Sequence, residues 1–231
     1  MVLMMILAHR ANIFGPNRQA ENSLMAVRQC LDFGWGVEID MRRSLEGSFY
    51  ISHDDQRWSI KTDADAYFSA LRSFPKSTWA INVKELGYEK ELLDYLIVQG
   101  VLGQVFLFDM ELLEHAHGVT ARKLRSFSPK VELAARASDR NESIENLLLV
   151  SEARITWLDE FDSLWITEDN ISKLKSLGKR IFAISPEIHG FSLIEMERRW
   201  RQFIQWGIDG ICTDYPMKLS DILVEEGASE L

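Results

Sequence analysis

Residues 36–40 read Gly-Val-Glu-Ile-Asp, GVEID. Side chains alternate along an extended strand, so Glu38 and Asp40 share one face and Val37 and Ile39 share the other. Two folds follow. In one, Val37 and Ile39 meet a core while the carboxylates face water. In the other, the strand is covered on both sides and two acids point into an enclosed space, where they repel and one must protonate or find a cation. The surrounding sequence decides between them.

Short apolar or β-branched runs alternate with stretches of helical period along the whole chain, the pattern of repeated βα units and a parallel sheet. Eight strands are expected, near Leu3–Ala8, Gly36–Met41, Trp79–Lys84, Gln104–Asp109, Val131–Ala135, Ile155–Leu158, Arg180–Ile184 and Gly210–Thr213. Helices are expected over Ser23–Phe33, Glu89–Gln99, Ser143–Ser151, Thr167–Leu177 and Leu193–Trp206. Gly34, Gly100, Gly178 and Gly207 stand at helix ends, where a left-handed residue commonly stops the turn. Eight such units form a (β/α)₈ TIM barrel whose active site lies at the carboxyl ends of the strands. A doubly wound open sheet is the competitor, and the lack of a Gly-rich loop after the first strand weakens its nucleotide-binding form. The 231 residues suit a single domain, 1–231.

One segment departs from the repeat. RRSLEGSFYISHDD, residues 42–55, runs from the second strand through a Glu46-Gly47 turn into a second extended run, a hairpin extension that would carry His53 back beside Asp40. The first strand ends in ILAHRAN, residues 6–12, placing His9 and Arg10 at the barrel mouth. A polar cap at a strand end would account for His9 alone. If Glu38 and Asp40 also face the interior, a hard divalent ion such as Mg²⁺ or Ca²⁺ relieves their repulsion.

AHRA (8–11), AENS (20–23), VEID (37–40), SHDD (52–55), INVK (81–84) and GICTDYP (210–216) resemble, in order and spacing, the glycerophosphodiester phosphodiesterase family, related to phosphatidylinositol phospholipase C. The resemblance spans nearly the whole chain. It implies a (β/α)₈ barrel, His9 and His53 as the catalytic pair, Arg10 and Lys84 at the substrate phosphate, and Glu38 and Asp40 as metal ligands. Glu21 and Asn22 would line or brace the site. Asn82 stands where the family usually has a glutamate, so the ligand set keeps an oxygen donor but loses a charge. Ala11 replaces the usual glycine, a modest change if its φ is negative. The stretch from His53 to Trp79 is much shorter than the insertion common in the family, and the tryptophan usual near the seventh strand's end is missing from Phe182–Ser185. Phosphodiester chemistry therefore transfers better than specificity for glycerol.

Other polar residues at strand ends are weaker candidates for lining the site: Asp109, Arg136, Asp159, Glu160, Glu187 and His189. Asp214, before Pro216, reads as a turn or helix-capping residue. His115 and His117 resemble a metal clip but read better as an exposed helix end. The tryptophans suit core packing, although aromatics at a mouth also hold sugars or lipid headgroups.

The expected activity is metal-dependent hydrolysis of a small or lipid-derived phosphodiester by two-histidine acid/base catalysis. An inactive barrel binding a phosphorylated or sugar ligand is the alternative, and a metal-dependent sugar isomerase a third reading. The net charge of −9 argues against nucleic acid as a partner. No stretch approaches the roughly 20 apolar residues of a membrane span. Two cysteines without a disulfide or zinc pattern suit a reducing compartment, so a cytoplasmic location is expected. The sequence leaves oligomeric state open.

Overall fold

The computed structural model describes residues 3–114, 116–140 and 142–230. Its ten strands are β1 (Leu3–His9), β2 (Gly36–Arg43), β3 (Phe49–Ile51), β4 (Trp79–Val83), β5 (Val105–Phe108), β6 (Glu132–Ser138), β7 (Ile155–Asp159), β8 (Arg180–Ile184), β9 (Gly210–Thr213) and β10 (Ser229–Glu230). Eight of them, β1, β2 and β4 to β9, pair in parallel and close into a ring, because β1 bonds to β2 on one side and β9 on the other. This is the (β/α)₈ barrel. β3 lies outside the ring, antiparallel to β2, with Met41 opposite Ile51. The hairpin turn is tied by the Ser44 N–H to the Ser48 carbonyl, and Gly47 takes a φ of 98°.

The helices are α1 (Leu24–Asp32), α2 (Ala64–Arg72), α3 (Glu89–Val98), α4 (Val119–Phe127), α5 (Ile144–Leu149), α6 (Glu168–Ser176), α7 (Leu193–Trp206) and α8 (Pro216–Glu225). Local chemistry starts and stops them. Ser23 and Ser143 accept from backbone N–H groups in the first turns of α1 and α5, and α6 and α7 open with full capping boxes at Thr167 and Ser192. Each such cap contributes about 1 kcal/mol. Gly207, at φ 66°, ends α7, and Gly34, Gly100 and Gly178 are likewise left-handed. In α7 the buried Met196, Arg199, Trp200, Phe203 and Ile204 recur at helical spacing and face the barrel wall.

Period-two alternation sorts the strand residues. Val37 and Ile39 pack outward under the helices, within a core that includes Val27 and Leu71. The inward residues Leu7, Ala80, Phe106, Ala134, Ile155, Trp157, Phe182 and Cys212 form a separate cluster inside the ring. Small residues make room for its aromatic rings: a Cβ on Gly210 would lie 2.5 Å from the Phe182 ring, and one on Gly36 would lie 2.1 Å from the Thr78 carbonyl oxygen. This filled floor confines the hollow to the carboxyl end of the strands.

Candidate active site

Glu38 and Asp40 are the inward residues of β2 above that floor, 3% and 1% exposed. The register does the assembling. Glu38 stands opposite His9 of β1, and Asp40 opposite Asn82 of β4. The solvent-facing reading of GVEID is thereby excluded.

At the end of β1 the chain turns through two left-handed residues, Arg10 at φ 48° and Ala11 at φ 58°. The turn aims the Arg10 N–H at Glu38 Oε2 (3.2 Å) and brings Asn12 to Asp214, to which its Nδ2 donates (2.8 Å). A side chain in this region of backbone space costs roughly 1–2 kcal/mol. Replacing glycine by Ala11 is therefore not the neutral change that a negative φ would have allowed. Asn22, at φ 56°, donates its N–H to the Arg10 carbonyl (2.7 Å) and its Nδ2 to Asp40 Oδ2 (3.1 Å).

His9 Nδ1 donates to Asp214 Oδ1 at 2.8 Å, and its Nε2 lies 4.0 Å from Glu38 Oε2. Burial works against the charged ring, but the Asp214 hydrogen bond and the Glu38 charge prevail and raise its pKa. Asp214 thus orients a histidine. The capping reading fails because α8 has no side-chain cap: its N-cap residue is Tyr215. Glu187 does not line the hollow. It accepts from Thr213 Oγ1 (2.6 Å) and the Asp214 N–H (3.1 Å), bracing the strand end that carries Asp214.

Positive charge surrounds Asp40 more than Glu38. Arg10 Nε lies 3.4 Å and Lys84 Nζ 3.3 Å from the Asp40 carboxylate, while Arg10 also reaches Glu21 (3.5 Å). Burial and the adjacent Asp40 charge push the Glu38 carboxyl up to about 7.

His53 arrives from outside the ring. The Ser52 N–H donates to the Asp40 carbonyl (2.9 Å) and Arg42 donates to the His53 carbonyl (2.8 Å), so the hairpin brings its backbone to the strand end as expected. The ring itself is 40% exposed and donates through Nδ1 to Asp54 Oδ1 at 2.8 Å. His9, Arg10, Glu38, His53, Asn82 and Lys84 all line one open hollow of about 220 Å³, with Phe108, Trp157 and Ile184 at its base.

The opposite wall is a continuous polar chain. Asn82 Nδ2 donates to Asp109 Oδ2 (3.0 Å), Arg136 donates to Asp109 Oδ1 (2.7 Å) and Asp159 Oδ2 (2.5 Å), and His189 Nε2 donates to Asp159 Oδ1 (2.5 Å). Asp109, Arg136 and Asp159 are buried, and Asp109 has a left-handed φ of 67°. Burial raises the Asp109 pKa against the pull of Arg136. Glu160, the residue after β7, points the other way and pairs with Arg199 of α7 (2.8 Å). His115 lies outside the described residues, and His117 sits in an exposed loop before Gly118.

The donor chemistry fits a hard divalent ion in the resemblance's ligand set. Glu38 is a buried carboxylate with one backbone donor, and Asp40 adds a second. Asn82 uses its amide nitrogen on Asp109, leaving its oxygen as the remaining donor. Among the described residues no cluster of three or more His, Cys, Asp or Glu side chains is arranged for a metal.

Sequence reasoning undervalued Asp214, whereas His189 lines the hollow as expected. The signal for Asp214 was available in the eighth strand's end position, which faces the first strand around a closed ring.

No protein-family model matches the chain. No curated protein matches it either. Solved structures do. A glycerophosphodiester phosphodiesterase from Parabacteroides distasonis superposes with a TM-score of 0.73 at 14% identity, covering 97% of this chain and 98% of that one. One from Agrobacterium tumefaciens gives 0.67 at 19% identity, covering 93% and 98%. An Oleispira antarctica phosphodiesterase, solved with the product sn-glycerol-3-phosphate, gives 0.69 at 15% identity, covering 96% and 97%. The chain has the glycerophosphodiester phosphodiesterase fold over nearly its whole length.

Proposed function

We propose that this protein is a phosphodiesterase that hydrolyses a small or lipid-derived phosphodiester of the glycerophosphodiester type. The observation that carries the reading is the buried pair Glu38 and Asp40 inside the ring, beside an Asp214-held His9 and the cations Arg10 and Lys84. That arrangement occurs in a fold shared with phosphodiesterases, one of which was solved with a glycerol phosphate product.

The residues divide the work. Asp214 fixes the His9 ring so that Nε2, the atom facing Glu38, is free to move a proton. His53, at the rim beside β2, is the second proton carrier: one imidazole takes the proton of the attacking oxygen and the other supplies the departing alkoxide. The attacking oxygen belongs to water or to a neighbouring substrate hydroxyl. Each proton transfer contributes on the order of 10²–10⁴-fold. Arg10 and Lys84 place positive charge where the phosphoryl oxygens gather it. Glu38, Asp40 and the Asn82 oxygen would hold Mg²⁺ or Ca²⁺, which when bound adds Lewis-acid stabilisation of the same charge. Trp157 and Phe108 close the base against water.

The small-molecule partner suits a hollow of this size, and among the described residues no helix is long and apolar enough to cross a membrane. Two buried free cysteines, Cys30 and Cys212, agree with a cytoplasmic location.

The test is hydrolysis of bis(p-nitrophenyl) phosphate and a panel of glycerophosphodiesters, with and without chelator, by the intact protein, His9→Ala and His53→Ala. Turnover abolished by chelator and by either substitution is expected. Binding of phosphorylated ligands without turnover of any diester would identify an inactive barrel, the reading that Asn82 in place of a carboxylate favours.

A further inference from the structure

We propose that Asn12 is a positioning residue: it fixes the Asp214 carboxylate and, through it, holds the His9 ring in the tautomer that leaves Nε2 open to the hollow. This rests on the two-histidine phosphodiester reading of the same site, in which that nitrogen carries a proton.

The turn after β1 delivers two side chains to one oxygen. The Ala11 N–H donates to the Ala8 carbonyl (3.1 Å) and the Asn12 N–H to the His9 carbonyl (2.9 Å), so the chain doubles back on itself. His9 Nδ1 and Asn12 Nδ2 then both donate to Asp214 Oδ1, each at 2.8 Å. A carboxylate oxygen has two lone pairs, and here both are taken. Turning the carboxylate would break both bonds at once, so the amide holds the imidazole's acceptor in place. The far end of the amide settles its orientation. Asn12 Oδ1 accepts from the Asn17 N–H (3.1 Å), a group that can only donate, which leaves the nitrogen for Asp214. An aspartate or a leucine of similar size could not serve both partners.

The surroundings keep Asn12 to this task. It is 4% exposed and is not among the side chains that line the hollow, so its influence on the chemistry passes through Asp214. The loop it belongs to is pressed onto the end of β9: a Cβ on Gly15 would lie 2.8 Å from the Tyr215 ring, and Gly15 takes a φ of 126°. The Asp214 backbone is fixed independently, its N–H donating to Glu187 Oε1 (3.1 Å). With the main chain anchored there, the freedom left to Asp214 is rotation of its side chain, and that is the motion Asn12 blocks. An imidazole whose Nδ1–H has a fixed acceptor keeps its other nitrogen unprotonated and ready to accept.

Two measurements test this. Long-range proton–nitrogen NMR of the His9 ring in the intact protein, at about pH 9 and assigned with His9→Ala, reads the tautomer without any turnover. The wild type should show a protonated Nδ1 and a bare Nε2, and Asn12→Ala should move both nitrogens towards the averaged positions of a mixed population. Asn12→Leu, which fills the space without donating, takes its place if the alanine variant does not fold. Steady-state hydrolysis of bis(p-nitrophenyl) phosphate is the second. Asn12→Ala should lower kcat roughly 10- to 100-fold with KM little changed, and should cost less than about twofold when added to Asp214→Asn, because the two act in series. A mixed tautomer in the wild type, a tautomer unchanged in the Asn12 variants, or losses that simply multiply overturns the proposal. A wild type that hydrolyses no diester yet loses its tautomer in Asn12→Ala sinks the catalytic reading and leaves this one. Turnover with an unchanged tautomer in that variant does the reverse.

Discussion

The two halves of the barrel mouth are built from the same residue types and treat charge in opposite ways. On the β1, β2 and β9 side, carboxylates and cations meet with slack: Arg10 and Lys84 stand 3.3–3.4 Å from Asp40, and Glu38 has a raised pKa with a single backbone donor. On the β5 to β8 side the four carboxylate oxygens of Asp109 and Asp159 each receive a donor, at 2.5–3.0 Å, around the buried Arg136. Groups that must exchange protons or take up a charged ligand cannot have their lone pairs fully spent. Groups that only hold a shape can. The contrast separates a reacting wall from a supporting wall, and each prediction below tests that division.

The largest effect belongs to the reacting wall. His9→Ala should lower kcat for a diester by 10²–10⁴-fold (approximately, as for loss of an acid/base group), and Asp214→Asn should follow it in direction by releasing the ring's tautomer. Steady-state kinetics on folded variants check this. Full activity in Asp214→Asn would assign that carboxylate to structure alone.

Next comes stability. Arg136→Leu strands two buried aspartates and should cost about 3–5 kcal/mol, whereas Arg10→Leu, half-buried and with Lys84 still beside Asp40, should cost about 1 kcal/mol or less. Urea unfolding measures both, and equal costs would erase the distinction between the walls.

A smaller effect probes the turn at the end of β1. Ala11→Val should destabilise by more than about 2 kcal/mol, because a β-branched residue strongly resists φ 58°. Ala11→Gly should stay within about 1 kcal/mol, relief of the left-handed strain being offset by the lost buried methyl and by backbone entropy. Thermal unfolding distinguishes the pair.

The smallest concerns Asp139, which accepts from the Phe161, Asp162 and Ser163 N–H groups and secures the loop holding Phe161. Slight burial opposes ionisation, but these hydrogen bonds win and lower its pKa below the ordinary value of 3.8. A depressed carboxylate contributes stability above its unfolded value and loses it as pH falls through the folded one. Asp139→Asn should therefore flatten the acid limb of a Tm–pH curve below about pH 4. A curve that still matches the wild type would remove Asp139 from the supporting wall.

Much of this was legible in the sequence, and the exceptions have physical causes. The eight barrel strands were readable because buried β-branched runs alternate with amphipathic stretches; polar interior residues such as Arg136, Ser138 and Asp159 prolong β6 and β7 past their apolar parts, while β4 and β5 end one residue before the expected Lys84 and Asp109. α2, α4 and α8 were not among the helices expected, although α2 and α4 are as long as α1 and α6. GVEID was ambiguous by itself, since alternation tells which side chains share a face and not which face is enclosed. Ring closure settles that. Asp214 was read only as a turn or cap, and His189 without its partner, because His9 and Asp159 are 205 and 30 residues away and meet them only through β1–β9 pairing and the turn after β8.

Because β3 hangs outside the ring, the loop bearing His53 is secured to β2 at its base and contributes none of the bonds that close the barrel. Residues 54–60, between His53 and the anchored Thr62, can therefore be lengthened, shortened or exchanged without reopening the scaffold. The distance between the two imidazoles becomes an adjustable dimension, tuned by a graft on the rim rather than by rebuilding the vessel.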